Sequence, residues 1–489
     1  MDTLYENEID IRSNEADLYY EPVERTSDIE LPPAMNTLLL ATWILVSLIG
    51  FAVIFLAKNP VAGTIIIAVP TLIGMVIKPT FALCIMMLVL PTGAGIGYKQ
   101  TFSLDRAIGI ALAVSFLLNI LITRPRLRIG NRALWVIGLY TLWVILSSLA
   151  APYFGLEMRR AFTQVQLLAL VLIVYWILQT NSESTFRWAL RAFVIGTLGT
   201  ALLAFMSGAA MRTMESAEAR YAATLGEAID PNMLAALTSI AFLTAIYLFA
   251  RDRNLWRVVH LAAILFLPIM LLWIGSRGAL IAMAFTLLSP LLFIRQVVRR
   301  PLLALLLLAA IALASVSAGL LIESGELQAP VLQRLTDVGY AIESIRTRMQ
   351  PIGRAVEAVT EYPAGTGYYS WFERAGTRIW PHNDFFLVLG VYGIPAGLLL
   401  VTLVIMLILT VRRIPLTPEK LYARAVLTFL LIMGLNIGQV FKKYYWLFFV
   451  IVLLAERIGW LYTDTLEELP SQADEEETAD IDDYAYVSP

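Results

Sequence analysis

Between residues 37 and 461 the chain runs through one apolar stretch after another, each about as long as a hydrocarbon layer is thick. A helix rises about 1.5 Å per residue, so about 20 apolar residues cross a ~30 Å bilayer core. Candidate runs fall at about 37–57, 61–77, 80–92, 104–123, 133–151, 161–180, 188–208, 232–250, 258–274, 279–294, 302–322, 385–410, 422–439 and 444–461. This predicts an all-α polytopic membrane protein with about 12–14 transmembrane helices, the short run at 80–92 accounting for part of the spread. Hydrophobic residues make up 59% of the chain and charged residues 15%. A soluble domain is roughly 45–50% apolar, so that class is excluded.

The rare residues exclude several chemistries. Cys84 is the single cysteine, so the chain has no internal disulfide and no cysteine-based zinc site. His260 and His382 are the two histidines, too few for a histidine-rich metal site, and neither metal nor cofactor is expected.

A formal net charge of −2 hides a partition. Residues 1–34 hold ten acidic groups against two arginines, and residues 464–489 hold ten with no basic group. What remains is a body with 34 basic and 18 acidic residues. Residues 1–36 and 462–489 therefore read as acidic disordered tails. Between them lie about eleven spans over 37–322, an outer loop at 323–384 and three last spans over 385–461. The acidic start does not resemble a signal peptide.

Lys and Arg in the short loops set the orientation. With the N-terminus in the cytoplasm, the inside loops collect eighteen basic residues and the outside short loops ten, which favours both termini inside. Several outside cations then border apolar spans: Arg159, Arg160, Arg212, Arg220, Arg277, Lys442 and Lys443. Any one of them reads equally as an interfacial side chain reaching water. As a set they read as a basic chamber for an anionic, phosphorylated lipid.

Three polar motifs open helices at that same face. Asp230-Pro231-Asn232 precedes one span, Gly275-Ser276-Arg277-Gly278 separates two more, and Trp380-Pro381-His382-Asn383-Asp384 closes the long loop. Asp, Asn and Ser cap helices, and Pro fits the first turn. Free N–H groups at such ends favour anions, whereas an arginine there needs an anion or carboxylate to answer it. His382 is the sole histidine at this face. An imidazole, with a free pKa of about 6.5, is the default general base at neutral pH. In the loop, 335–349 and 351–361 read as two amphipathic helices broken at Pro351, with Ile342, Ile345, Met349, Val356 and Val359 as the apolar stripe. A Gly-Thr-Gly turn and the aromatics Tyr368, Tyr369, Trp371 and Phe372 follow.

These motifs resemble the O-antigen ligase and Wzy-type O-antigen polymerase superfamily. His382-Asn383-x9-Gly393 is similar to the ligase signature, and Arg354-x10-Gly365 to that of the polymerases. Gly-Ser-Arg-Gly-Ala-Leu at 275–280 and Asp-Pro-Asn at 230–232 occupy the family's usual places. The ligase pattern continues to a Thr where this chain has Ala396, and a second Arg-x10-Gly is found at neither Arg212 nor Arg220. Polymerase and ligase both stay open, with a lean to polymerase. The resemblance covers about residues 220–410 well.

The resemblance implies a metal-independent membrane glycosyltransferase in a bacterial inner membrane. Its donor would be a polyprenyl-pyrophosphate-linked glycan, and its acceptor a glycan or lipid A-core. A chain-length regulator is the implied protein partner and membrane lipid the surroundings; no nucleic acid is expected. His382 would be the base, and Arg277 and Arg354 would hold pyrophosphate. Asn383 and Asp384 would orient the imidazole or cap the helix, and Asn232, Arg159, Arg160 and Arg220 would contribute to binding. With no second nucleophilic carboxylate near the motif, transfer would invert the anomeric carbon. The alternative is a transporter or flippase for a lipid-linked or anionic solute.

Overall fold

The computed structural model describes residues 42–92 apart from 44, 51, 54, 55, 57 and 59, then 104–124, 130–206, 231–252, 255–288, 338–377 and 379–461. Among the described residues every regular element is helical. In chain order these are α1 (Pro60–Ile77), α2 (Pro79–Val89), α3 (Leu104–Thr123), α4 (Arg132–Leu149), α5 (Phe154–Thr180), α6 (Glu183–Met206) and α7 (Pro231–Arg251). Then follow α8 (Trp256–Ile274), α9 (Arg277–Leu288), α10 (Val338–Glu361), α11 (Trp371–Arg374), α12 (Asp384–Arg413), α13 (Pro418–Asn436) and α14 (Lys443–Leu461). The protein is an all-α, multi-pass membrane protein.

Seven described helices are long and apolar enough to cross a membrane: α4, α5, α6, α7, α8, α12 and α14. The apolar stretches Ala62–Ile77 in α1, Pro79–Thr92 from α2 onward, Ala107–Thr123 in α3 and Arg277–Leu288 in α9 are shorter. α13 has the length, 19 residues, but carries Glu419, Lys420 and Arg424 in its first two turns. The expected span at 302–322 and the acidic tails lie outside the described residues.

α14 is the most enclosed of these helices, sharing with α7 the highest buried fraction among the spans. Its run from Tyr444 to Ala455 is buried without interruption. Buried residues on α2, α4, α6, α7, α12 and α13, such as Leu83, Ile137, Phe193, Ala241, Leu403 and Leu430, belong with it to one core. Apolar burial drives little here, because lipid is as apolar as leucine; close backbone approach and hydrogen bonds carry the packing. On α6, a Cβ at Gly196 would collide with the Leu88 carbonyl of α2.

α10 differs from expectation. Pro351 does not split it; the helix runs through Val338–Glu361 with Pro351 inside. A proline there removes one helical donor. Burial of Pro351, Ala355 and Ala358 on one face supplies packing that holds the helix together across the gap.

Candidate functional site

α12 is broken inside its first third. Gly393 sits at φ 80°, ψ −175°, and Pro395 follows two residues later. In an unbroken helix Gly390 O would accept from the Ile394 N–H and Val391 O from residue 395. Ile394 instead donates to Pro363 O at 3.0 Å, and Pro395 has no N–H. The two freed carbonyls accept from Thr366 N and Gly367 N, each at 3.0 Å. Tyr392 O takes the Trp143 indole at 2.7 Å, and Ala364 O takes the Ser147 hydroxyl at 2.8 Å. The loop segment 363–367 is thus threaded through the helix break with its backbone satisfied, as an apolar setting requires.

The next residues are held by a carboxylate. Glu157, on the first turn of α5, is fully buried. It accepts from Tyr368 N at 2.8 Å, Tyr369 N at 2.7 Å and Ser370 N at 3.3 Å. One turn along, Arg160 lies 4.4 Å from the Tyr368 ring centroid and 4.0 Å from that of Phe441. Tyr368 stacks on Trp380 at 4.5 Å, which places the aromatic cluster beside His382 in sequence. Burial pushes the Tyr368 hydroxyl above its ordinary pKa, against the opposing pull of Arg160.

Asn383 caps α12, its Oδ1 accepting from Phe385 N and Phe386 N at 3.0 and 3.2 Å. Its Nδ2 donates to Leu435 O at the end of α13. Asp384 is fully buried and reaches the α13–α14 connection, accepting from Gln439 N and Val440 N. Phe441, Lys442 and Lys443 follow directly. His382 is exposed, on the bend before the cap.

The other two motifs close on the same place. Ser276 Oγ donates to Asn232 Oδ1 at 3.0 Å, joining the starts of α7 and α9. Gly278 faces Asn436 on α13, where an added Cβ would meet Asn436 Cβ at 3.5 Å. Arg277, half-buried, lies between these contacts in the first turn of α9. The end of α13 therefore gathers Asn232, Ser276, Arg277, Asn383 and Asp384. Arg159 is exposed one residue before Arg160. Arg354 stands apart, exposed on α10 and paired with Glu357 at 2.8 Å. Arg220 lies outside the described residues.

The opposite end of the bundle holds charges that the topology count treats as loop cations. Arg191 grips Asp252 with two bonds of 3.0 and 2.7 Å, and His260 Nε2 approaches the same carboxylate at 2.9 Å. Arg187 lies 3.7 Å from Asp252, and the Arg257 guanidinium donates to its backbone carbonyl. Arg251 bridges Glu183 and Glu419, which also accepts from Tyr247. Burial alone would raise the Asp252 carboxyl; the hydrogen bonds of Arg191 and His260 outweigh it and hold it below the usual carboxylate range. These groups tie α6, α7, α8 and α13 together, a role that loop counting does not reveal.

Among the described residues no cluster of three or more His, Cys, Asp or Glu side chains could hold a metal ion. No protein-family model matches the chain, and no curated protein matches it either.

Proposed function

We propose that the protein is a membrane-embedded glycosyltransferase that takes a glycan from a polyprenyl-pyrophosphate lipid at the outer face of a bacterial inner membrane. The observation that carries the reading is the convergence of three sequence-distant segments, Asn232, 275–278 and 380–384, on the end of one helix, α13. The acids of this end, Glu157 and Asp384, are answered by backbone N–H groups. Arg159, Arg160, Arg277, Lys442 and Lys443 border them, a balance that suits a pyrophosphate.

In this reading His382 takes the proton of the acceptor hydroxyl as that oxygen attacks the anomeric carbon. The bond from that carbon to the pyrophosphate oxygen breaks, and the lipid pyrophosphate leaves with the electron pair. Arg277 and the helix starts around it hold the charge that grows on the leaving group. Attack from the opposite side inverts the centre. Asn383 and Asp384 act as positioning residues: one fixes the helix start behind His382, the other the turn that presents Lys442 and Lys443.

A transporter is the second reading, favoured by the buried Arg191–Asp252–His260 network. Its position at the far end of the bundle, rather than at mid-depth, favours a structural role for it. Incubating the nanodisc-embedded protein with lipid-pyrophosphate oligosaccharide, with and without lipid A-core, separates the outcomes. A ladder of products marks a polymerase, a single transfer to the core marks a ligase, and movement of intact donor between leaflets without transfer overturns the proposal.

A further inference from the structure

α10 presents three faces to three different surroundings. Pro351, Ala355 and Ala358 are buried, and Ala355 meets Gly390 of α12. Arg346, Gln350, Arg354 and Glu357 are exposed and polar. The third face is a row of large aliphatic residues at helical spacing: Met349, Ile352, Val356 and Val359. None of those four belongs to the core. Met349 is 57% exposed and Val356 47%.

The length of α12 indicates what covers that row. Its 30 residues correspond to roughly 45 Å, well beyond the ~30 Å of hydrocarbon. The break at Gly393 leaves Ile394–Arg413 as a stretch long enough to cross, so the stub Asp384–Tyr392 stands at headgroup level with α10 against it. Along the crossing stretch Ile394, Leu398, Val401 and Ile405 are exposed, as lipid-facing residues are. Ile394 N donates to Pro363 O, two residues beyond the end of α10. The lipid-facing row of α12 thus begins where the bare row of α10 ends.

We propose that α10 lies at the bilayer surface with Met349, Ile352, Val356 and Val359 immersed in the lipid of that leaflet, as an in-plane amphipathic helix does. Charged residues then face water, and the alanine face holds the helix to α12. This placement does not depend on the chemistry proposed above. It fixes the 363–370 segment, threaded directly after α10, at the depth where a lipid-borne headgroup would lie.

The test uses the full-length chain in phosphatidylcholine nanodiscs, with Cys84→Ala and single cysteines introduced at 349, 352 or 356 for comparison with 346, 350 or 357. Each carries a spin label whose relaxation is measured with oxygen, which concentrates in lipid, and with a water-soluble nickel chelate. Labels at 349, 352 and 356 are expected about 5–10 Å below the headgroup surface, more accessible to oxygen than to nickel, and those at 346, 350 and 357 the reverse. The proposal is overturned if 349 and 356 respond to nickel as 350 does. Shielding from both reagents, the mark of a protein partner, or dipolar broadening from a second copy would overturn it equally. Six separate positions keep the comparison decisive if one variant fails to fold.

Discussion

Gly365 and Gly393 pack backbone against backbone across the break in α12. A Cβ on Gly393 would run into the Pro363 carbonyl, and one on Gly365 into the Val391 carbonyl. Both sit at positive φ, 80° and 104°. Each glycine closes one of the two spaced patterns in the sequence, the first beginning at Arg354 and the second at His382. The patterns meet at a joint of the backbone, and their shared requirement at that joint is the absence of a side chain.

The joint is therefore intolerant. Gly393→Ala and Gly365→Ala each meet a left-handed conformation, which costs about 1–3 kcal/mol by strain alone, and a backbone collision besides. Either variant is expected to lower the melting temperature in nanodiscs and to open the 363–367 backbone to hydrogen exchange. Ala396→Gly, three residues further on in regular helix, leaves exchange at 363–367 near the wild-type level. Equal behaviour of the two glycine variants and the wild type would remove the joint from the account.

Glu157 gives a second prediction. Glu157→Ala strands the Tyr368 and Tyr369 N–H groups in a buried setting, where each unsatisfied donor costs about 1–3 kcal/mol. Exchange at 368–370 should rise and limited proteolysis should cut there first. Glu157→Gln keeps the shape, loses the charge and should fall between the two.

Asp252 predicts an acid limit. Its folded pKa lies below that of an ordinary carboxylate, so its contribution is fully present above the unfolded pKa of about 3.9 and is lost as pH falls through the folded value. The Asp252 contribution should stay constant from pH 8 to pH 5 and decline only below about pH 4. Arg187, Arg191 and His260 face this carboxylate, and Arg257 donates to the Asp252 backbone carbonyl. In Asp252→Asn the acid-dependent part disappears and the melting temperature at neutral pH drops, because Arg191 loses its partner in a buried place.

Much of this architecture is legible in the residues alone. Apolar run length marks the helices, and Asn383 declares itself as a cap by standing before an apolar run. The Gly-Thr-Gly turn at 365–367 is likewise readable from glycine's access to positive φ. What stays hidden needs tertiary partners. Nothing local says that Asp384 accepts from Gln439 and Val440, fifty-five and fifty-six residues on. The continuity of α10 through Pro351 depends on a face packed against α12. Glu157 carried a signal that loop counting passes over: an acid three residues before Arg160 where an apolar span begins. The arginines of the far end read as orientation signals because most of their acids stand far off in sequence: Asp252 for Arg191, and Glu183 and Glu419 for Arg251.

The central claim is that His382 and Arg277 act on one lipid-pyrophosphate glycan. Single-turnover transfer from that donor, measured with the nanodisc-embedded protein across pH, tests it most directly. His382→Ala should cost about 10²–10⁴-fold in rate while donor binding persists, and the acidic limb of the pH profile should lose its imidazole step. Arg277→Ala should slow transfer about 10²–10³-fold and weaken donor binding as well. Full transfer rates in both variants, with the wild-type pH profile intact, would contradict the account.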